Sequence, residues 1–223
     1  LLTMPIGNPE LKAKYIDIKP GEIYKTSTGD KMSFDEMIDE LASKKVIFLG
    51  ESNTSMNMHM SQDRIIRALY ERNPKLLIGM EFFRREHNEI LKEWSAGKLT
   101  EEELLYKTGW YESGGYNFGY YRPFINFAKE KGLAVEGINI PRTVLRMVSR
   151  QGLDKLPEKE KKMVGDVDVN NKEHKQLIMK YFGGAMMGHG GDGNNKMMQA
   201  MLDKRYAAQC VWDNVFADSI LST

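Results

Sequence analysis

The chain has 223 residues, of which 41% are hydrophobic and 28% charged, which is typical of one globular domain. Its 32 basic and 31 acidic residues nearly cancel, so no strong field gathers nucleic acid, and nucleic-acid binding is not expected. One cysteine, Cys210, excludes an internal disulfide framework, and no apolar run approaches the roughly 18 residues of a membrane span.

The first predicted elements are a hairpin and a helix. Residues 21–34 read as two short strands that turn at Thr28-Gly29-Asp30. Ser33 and Glu36 then predict a capping box for a helix over 33–45. Next, "VIFLG" at 46–50 predicts a buried strand, because four apolar residues run into a glycine.

Two more strands follow, "LLIGMEFF" at 76–83 and "LAVEGINI" at 133–140. Short links join these strands to predicted helices at 61–73, 85–97, 100–110, 121–132 and 141–152. Alternating strands and helices with short links favour a mainly parallel sheet flanked by helices. The predicted fold class is therefore α/β, as one domain spanning residues 1–223 with an N-terminal hairpin.

The later part of the chain has a different texture. Residues 153–205 are charged and weakly periodic, then rich in glycine and methionine around His189, which predicts a helical excursion that forms a lid. A long helix follows, over 197–221. Because three strands make an incomplete sheet, we expect the chain to stop before the fold is closed.

Polar residues lie at or directly after the ends of the three predicted strands. Glu51, Glu81 and Asn139 lie at the strand ends, and ligands in open α/β sheets bind beyond these ends. We expect the three side chains to converge on one edge of the sheet. The alternative is structural, with the two glutamates bound to backbone amides or to Arg142.

Soft donor groups lie close to these strand ends. His59 sits among Met56, Met58 and Met60, and His189 lies in the glycine-rich stretch. Imidazole, thioether and phenol groups can each be axial ligands of haem iron, and thioether with imidazole also suits Cu(I). The other two histidines, His87 and His174, lie in charged helical segments and are expected to be solvated.

Aromatic residues are concentrated at 109–123, "GWYESGGYNFGYYRP", with four tyrosines, one tryptophan and one phenylalanine. The interspersed glycines indicate a loop rather than a plain amphipathic helix. Such a loop, which includes Tyr120 and Tyr121, suits a large planar ligand. The alternative is a tyrosine-rich packing loop.

Four stretches in this order resemble the ChaN-like family of bacterial haem-binding proteins, which is distantly related to the Tiki/TraB group. They are "VIFLGE" at 46–51, "GMEFFRREHNEILKEWSAGKLTEEELL" at 79–105, the segment 109–142 that ends in "NIPR", and "AQCVWDNVFADSI" at 208–220. The resemblance implies an α/β fold and a role in bacterial haem or iron uptake.

The resemblance also extends to single residues. Glu51 and Glu81 match the strand-end carboxylates of the family, Asn139 with Arg142 matches its N-x-P-R element, and His59 falls where relatives carry histidines. One departure is Asn53, where the family commonly has histidine. An amide cannot ligate a metal as imidazole does, so this departure weakens a hydrolase interpretation.

The sequence therefore favours binding over catalysis, with haem as the cofactor at a strand-end cleft or dimer interface. The candidate ligands of the haem iron are Tyr120, Tyr121, His59 and His189. The alternatives are a metal-dependent hydrolase that uses the strand-end glutamates and a copper-handling protein with Met/His clusters. The resemblance further implies a possible homodimer, an outer-membrane haem receptor system as partner, and an extracytoplasmic, membrane-anchored lipoprotein whose export signal has been removed.

Overall fold

The structure, a computed structural model, describes residues 17–187 and 196–222, with side chains described at 17–180 and 196–222. The chain divides into two compact units, and the boundary lies between Gly137 and Ile138. We call these the N-terminal unit (17–137) and the C-terminal unit (138–222). The single domain that the sequence predicts stays a prediction.

The strands and helices are, in chain order, β1 (Ile23–Lys25), β2 (Asp30–Met32), α1 (Phe34–Ala42), α2 (Met56–Arg72), β3 (Leu77–Arg84), α3 (Asn88–Ser95), α4 (Glu101–Thr108), α5 (Arg122–Lys131), β4 (Ala134–Asn139), α6 (Arg142–Gln151), α7 (Glu158–Val164), α8 (Lys172–Met187) and α9 (Lys196–Leu221). Single 3₁₀ turns lie at Arg85–His87, Phe118–Tyr120 and Leu153–Lys155. None of the described helices combines the length and hydropathy needed to cross a bilayer.

The predicted hairpin and the predicted helix cap at Ser33 are confirmed. β1 and β2 pair antiparallel, with Tyr24 opposite Lys31. Ser33 caps α1 and exchanges hydrogen bonds with Glu36, since each side chain accepts from the other residue's backbone N–H. These reciprocal bonds satisfy donors that a helix start leaves unpaired, so a short sequence signature is enough to place the helix.

β3 and β4 form a small parallel sheet flanked by helices, which confirms the predicted fold class. The two strands approach very closely at Gly137, where a Cβ atom would lie 2.3 Å from the carbonyl oxygen of Arg84. The backbone N–H of Gly137 donates to the Asn88 side chain at 2.8 Å. Glycine is therefore required here by the space between the strands rather than by a turn.

Aromatic residues dominate the core of the N-terminal unit. Trp94 and Phe83 are almost fully buried, and Trp94 also donates its indole N–H to the carbonyl of Ile125 at 3.1 Å. Trp110 packs against Phe83 and Phe118 with ring centroids 5.1 and 5.3 Å apart. Such rings bury large apolar areas, so this core fixes α3, α5 and the aromatic segment against β3.

The C-terminal unit is helical, with valines of α6 and α9, among them Val148 and Val211, in its core. His174 of α8 joins α9, because its Nε2 lies 3.0 Å from a carboxylate oxygen of Asp213 and its Nδ1 lies 3.1 Å from the Tyr206 hydroxyl. Burial raises the pKa of the nearby Cys210 thiol. The thiolate, which is the reactive form of cysteine, is thus disfavoured.

The sequence prediction of a buried strand at 46–50 is wrong. This segment has no regular secondary structure, and Phe48 is 81% exposed. The helix predicted from residue 61 begins earlier, at Met56 with Ser55 as N-cap, so the methionine cluster lies in its first turns. His87 is also buried rather than solvated.

Candidate functional site

The Glu51 carboxylate joins three segments of the N-terminal unit. Its Oε1 accepts a hydrogen bond from the Tyr121 hydroxyl at 2.9 Å, and its Oε2 accepts one from the Gln62 amide at 3.1 Å. The Nδ1 of His59 lies 3.4 Å from the same Oε2. Both oxygens therefore accept hydrogen bonds that hold the carboxylate in place.

His59 is only 1% exposed and is surrounded by protein oxygens. Its Nδ1 lies 3.2 Å from the Gln62 side-chain oxygen, and its Nε2 lies 3.3 Å from the carbonyl oxygen of Asn53. Its ring stacks on Tyr120 at 5.0 Å and meets the edge of Tyr121 at 4.8 Å. The ring would have to leave this position before either nitrogen could reach a metal.

Tyr120 and Tyr121 differ in environment although they are adjacent. Tyr121 is buried, and its burial, together with its hydrogen bond to Glu51, raises the pKa of its phenol well above the usual range. Glu81 contributes to the same rise, which places its charge near Tyr121. Tyr120 is half-buried, and no side chain or backbone group of the described residues is hydrogen-bonded to its hydroxyl. Only Tyr120 of the pair has a hydroxyl available to a ligand.

The first turns of α2 expose thioethers beside this site. Met56, Met58 and Met60 are all exposed, with Met60 at 61%. The sulfur of Met58 also accepts a hydrogen bond from the backbone N–H of Ser52 at 3.2 Å, which holds the preceding segment against the helix. Thioethers are polarizable and adaptable, and they favour contact with a flat apolar ligand.

The comparisons with known proteins agree with this architecture. Residues 37–223 match the sequence profile of the family described as haem-binding uptake, Tiki superfamily, ChaN. The chain belongs to this ChaN family. A solved structure of ChaN of Campylobacter jejuni, described as showing cofacial heme binding, matches with a TM-score of 0.70 at 21% identity, over 91% of this chain and 75% of that chain. At this identity the match shows the fold alone, and no curated protein matches the chain.

The family membership confirms the resemblance seen in the sequence, and neither match supports the copper alternative. Within the described residues, no group of three or more His, Cys, Asp or Glu side chains is arranged to hold a metal ion. Haem iron needs fewer protein ligands than a metal ion bound by side chains alone, because the porphyrin supplies four ligands and the protein only the axial ones.

The structure brings together five of the predicted site residues: Glu51, His59, Glu81, Tyr120 and Tyr121. Asn139 and Arg142 belong to the C-terminal unit, where Asn139 ends β4 and Arg142 begins α6. His189 lies outside the described residues. The roles of all these residues stay predictions.

One residue of this site, Gln62, was missed by the sequence interpretation, and another, Tyr116, was included only as part of the aromatic segment 109–123. Gln62 is 8% exposed and contacts both Glu51 and His59. Its spacing of three residues from His59 on a helix places both side chains on one face, a signal that could have found it. Tyr116 is half-exposed and meets the edge of Phe82 with ring centroids 5.7 Å apart.

Proposed function

We propose that this protein binds haem on the surface formed by the aromatic segment 109–123 and the first turns of α2, with Tyr120 as the protein ligand of the iron. The observation that carries the proposal is the hydroxyl of the half-buried Tyr120, to which no group of the described residues is hydrogen-bonded. Exposed methionines at 56, 58 and 60 provide an apolar surface for the porphyrin. Tyrosine oxygen is an established axial ligand of haem iron.

The other candidate ligands of this unit are less suited. Tyr121 donates to Glu51 and is held as a neutral phenol, whereas Fe(III) is bound best by the phenolate. Both nitrogens of His59 face protein oxygens. Tyr116 has no hydrogen bond to its hydroxyl within the described residues, and its exposed ring makes it the second choice.

Titration with haemin tests the proposal. We expect wild-type protein to shift the Soret band at stoichiometric haemin and to show the charge-transfer band of a tyrosinate ligand. Tyr120→Phe should remove that band and weaken binding about 30-fold, which corresponds to about 2 kcal/mol. Tyr106→Phe, which changes an exposed tyrosine of α4, is the matched control and should leave both unchanged.

Two results would contradict the proposal. If the wild-type spectrum of haemin does not change, this surface does not bind haem. If Tyr121→Phe removes the charge-transfer band and Tyr120→Phe does not, haem binds through the other tyrosine. The spectrum of the protein as purified, before haemin is added, gives an independent check.

The cellular role proposed here is haem uptake, which the family description supports. A protein that takes up haem would work outside the cytoplasm. We therefore also propose that this protein is a membrane-anchored lipoprotein and that its partner is an outer-membrane haem receptor. A homodimer that holds haem between its subunits belongs to the same proposal. Size-exclusion chromatography with and without haemin tests the dimer directly.

A further inference from the structure

We propose that Gln62 is a positioning residue that holds Tyr120, the proposed haem ligand, and its buried neighbour Tyr121 in place. The inference rests on the proposed function, because haem is the ligand that Tyr120 would bind. Gln62 is only 8% exposed and is not itself a proposed ligand of haem. It would act through two neighbours, Glu51 and His59, which in turn contact Tyr121 and Tyr120.

The hydrogen bonds of Gln62 determine the orientation of its amide. Its Nε2 donates to the carbonyl oxygen of Leu49 and to the Glu51 carboxylate, each at 3.1 Å. Two acceptors require the nitrogen on this side, so the amide oxygen points to Nδ1 of His59 at 3.2 Å. All the polar atoms of this nearly buried side chain are thereby engaged, as burial requires.

Two of these bonds, to Glu51 and to His59, each lead to one tyrosine. On one side Gln62 fixes Glu51, which accepts the hydroxyl of Tyr121 from 70 residues further along the chain. On the other side it fixes His59, whose ring lies nearly parallel to that of Tyr120, at 14°. A single side chain of α2 thus supports both tyrosines where the 3₁₀ turn passes into α5.

The same bonds also hold the irregular segment before α2. Residues 45–50 form no regular secondary structure, so the bond from Gln62 to the Leu49 carbonyl is a main attachment of this segment to the helix. Glu51 follows two residues later. Its carboxylate would be free to move away from Tyr121 if that attachment were lost.

The Gln62→Glu variant tests this role, because it keeps the size of the side chain and replaces the donor by a second carboxylate. We expect hydrogen exchange at the bonded amides of His59, Tyr121 and Ile125 to become about tenfold faster. Haem dissociation should accelerate by a similar factor. Gln209→Glu, which places the same charge beside Asp213 on α9, is the control and should change neither.

The double variant Glu51→Gln/Gln62→Glu restores one amide and one carboxylate with exchanged positions. It should recover part of the slow amide exchange and slow haem dissociation, since the amide at 51 can donate to the carboxylate at 62 and still accept from Tyr121, whereas the bond to the Leu49 carbonyl stays broken. A role for Gln62 in filling space predicts no such rescue, because all these side chains have the same size.

The outcomes separate this inference from the haem proposal. If wild-type protein does not bind haemin, the proposed function fails, and amide exchange in the haem-free protein still tests Gln62. If Gln62→Glu leaves exchange and haem dissociation at wild-type rates, or if the double variant is no better than the single one, the positioning role is overturned.

Discussion

Replacing Gly137 by alanine is expected to destabilise the protein by at least about 3 kcal/mol. The added Cβ would lie 2.3 Å from the carbonyl oxygen of Arg84 and 2.7 Å from the carbonyl carbon of Phe83. These are backbone atoms of β3, which cannot rotate away as a side chain could. The two strands must therefore separate, and their packing against the aromatic core would be lost with them.

Urea unfolding followed by tryptophan fluorescence measures this loss, since Trp94 and Trp110 lie in the affected core. Gly50→Ala is the matched control, because a Cβ at that glycine would have no atom within 4 Å. It should change stability by less than about 0.5 kcal/mol. Equal stability of the Gly137→Ala variant and wild-type protein would show that the strands are further apart than described.

Local signals in the sequence predict much of this fold. The hairpin and the capping box at Ser33 rest on hydrogen bonds between neighbouring residues, so a few letters suffice to find them. β3 and β4 each combine a short apolar run with flanking polar residues. Their predicted positions agree with the structure within one or two residues.

The segment 46–50 shows where local reasoning fails. An apolar run predicts burial, but a strand forms only if another strand supplies hydrogen-bond partners. Of the described strands, none pairs with these residues, and Val46 and Phe48 remain exposed. The early start of α2 was missed for a related reason. Methionine is a good helix former, but Met56 and Met60 are exposed, so they are not part of the buried apolar face by which a helix is predicted.

The site depends on contacts that no local pattern reveals. Glu51 was identified from its place after an apolar run, and that run is not a strand, yet the carboxylate does lie beside Tyr121. The contact joins residues 70 positions apart, so its existence follows only from the tertiary structure. Tyr120 is likewise of functional interest because its hydroxyl has no hydrogen bond to the described residues, whereas that of Tyr121 is bonded to Glu51. The sequence alone cannot distinguish two adjacent tyrosines in this way.

A second large effect is expected from pH through His87, which is 4% exposed. Burial, with a smaller contribution from Arg84, lowers the pKa of His87 from 6.5 to about 4. Between these values the unfolded chain binds a proton that the folded protein does not, so stability falls as the pH falls. From pH 7 to pH 5 the loss should be about 2 kcal/mol, because each pKa unit corresponds to 1.36 kcal/mol.

His87→Asn is the variant that isolates this effect. The asparagine oxygen can replace Nδ1 of His87 as acceptor for the backbone N–H of Arg84, and it does not titrate. Urea unfolding of the variant should therefore give nearly the same free energy at pH 7 and pH 5.

Glu86→Gln is the control, since the Glu86 charge raises the pKa of His87, and its removal should keep the pH dependence or steepen it slightly. A wild-type protein equally stable at both pH values would mean that His87 is solvated, as its charged neighbours in the sequence suggest. The comparison is limited to pH values of 5 and above. Below pH 5, carboxylates whose pKa is lowered by capping or pairing, such as Glu36 and Glu103, also affect stability.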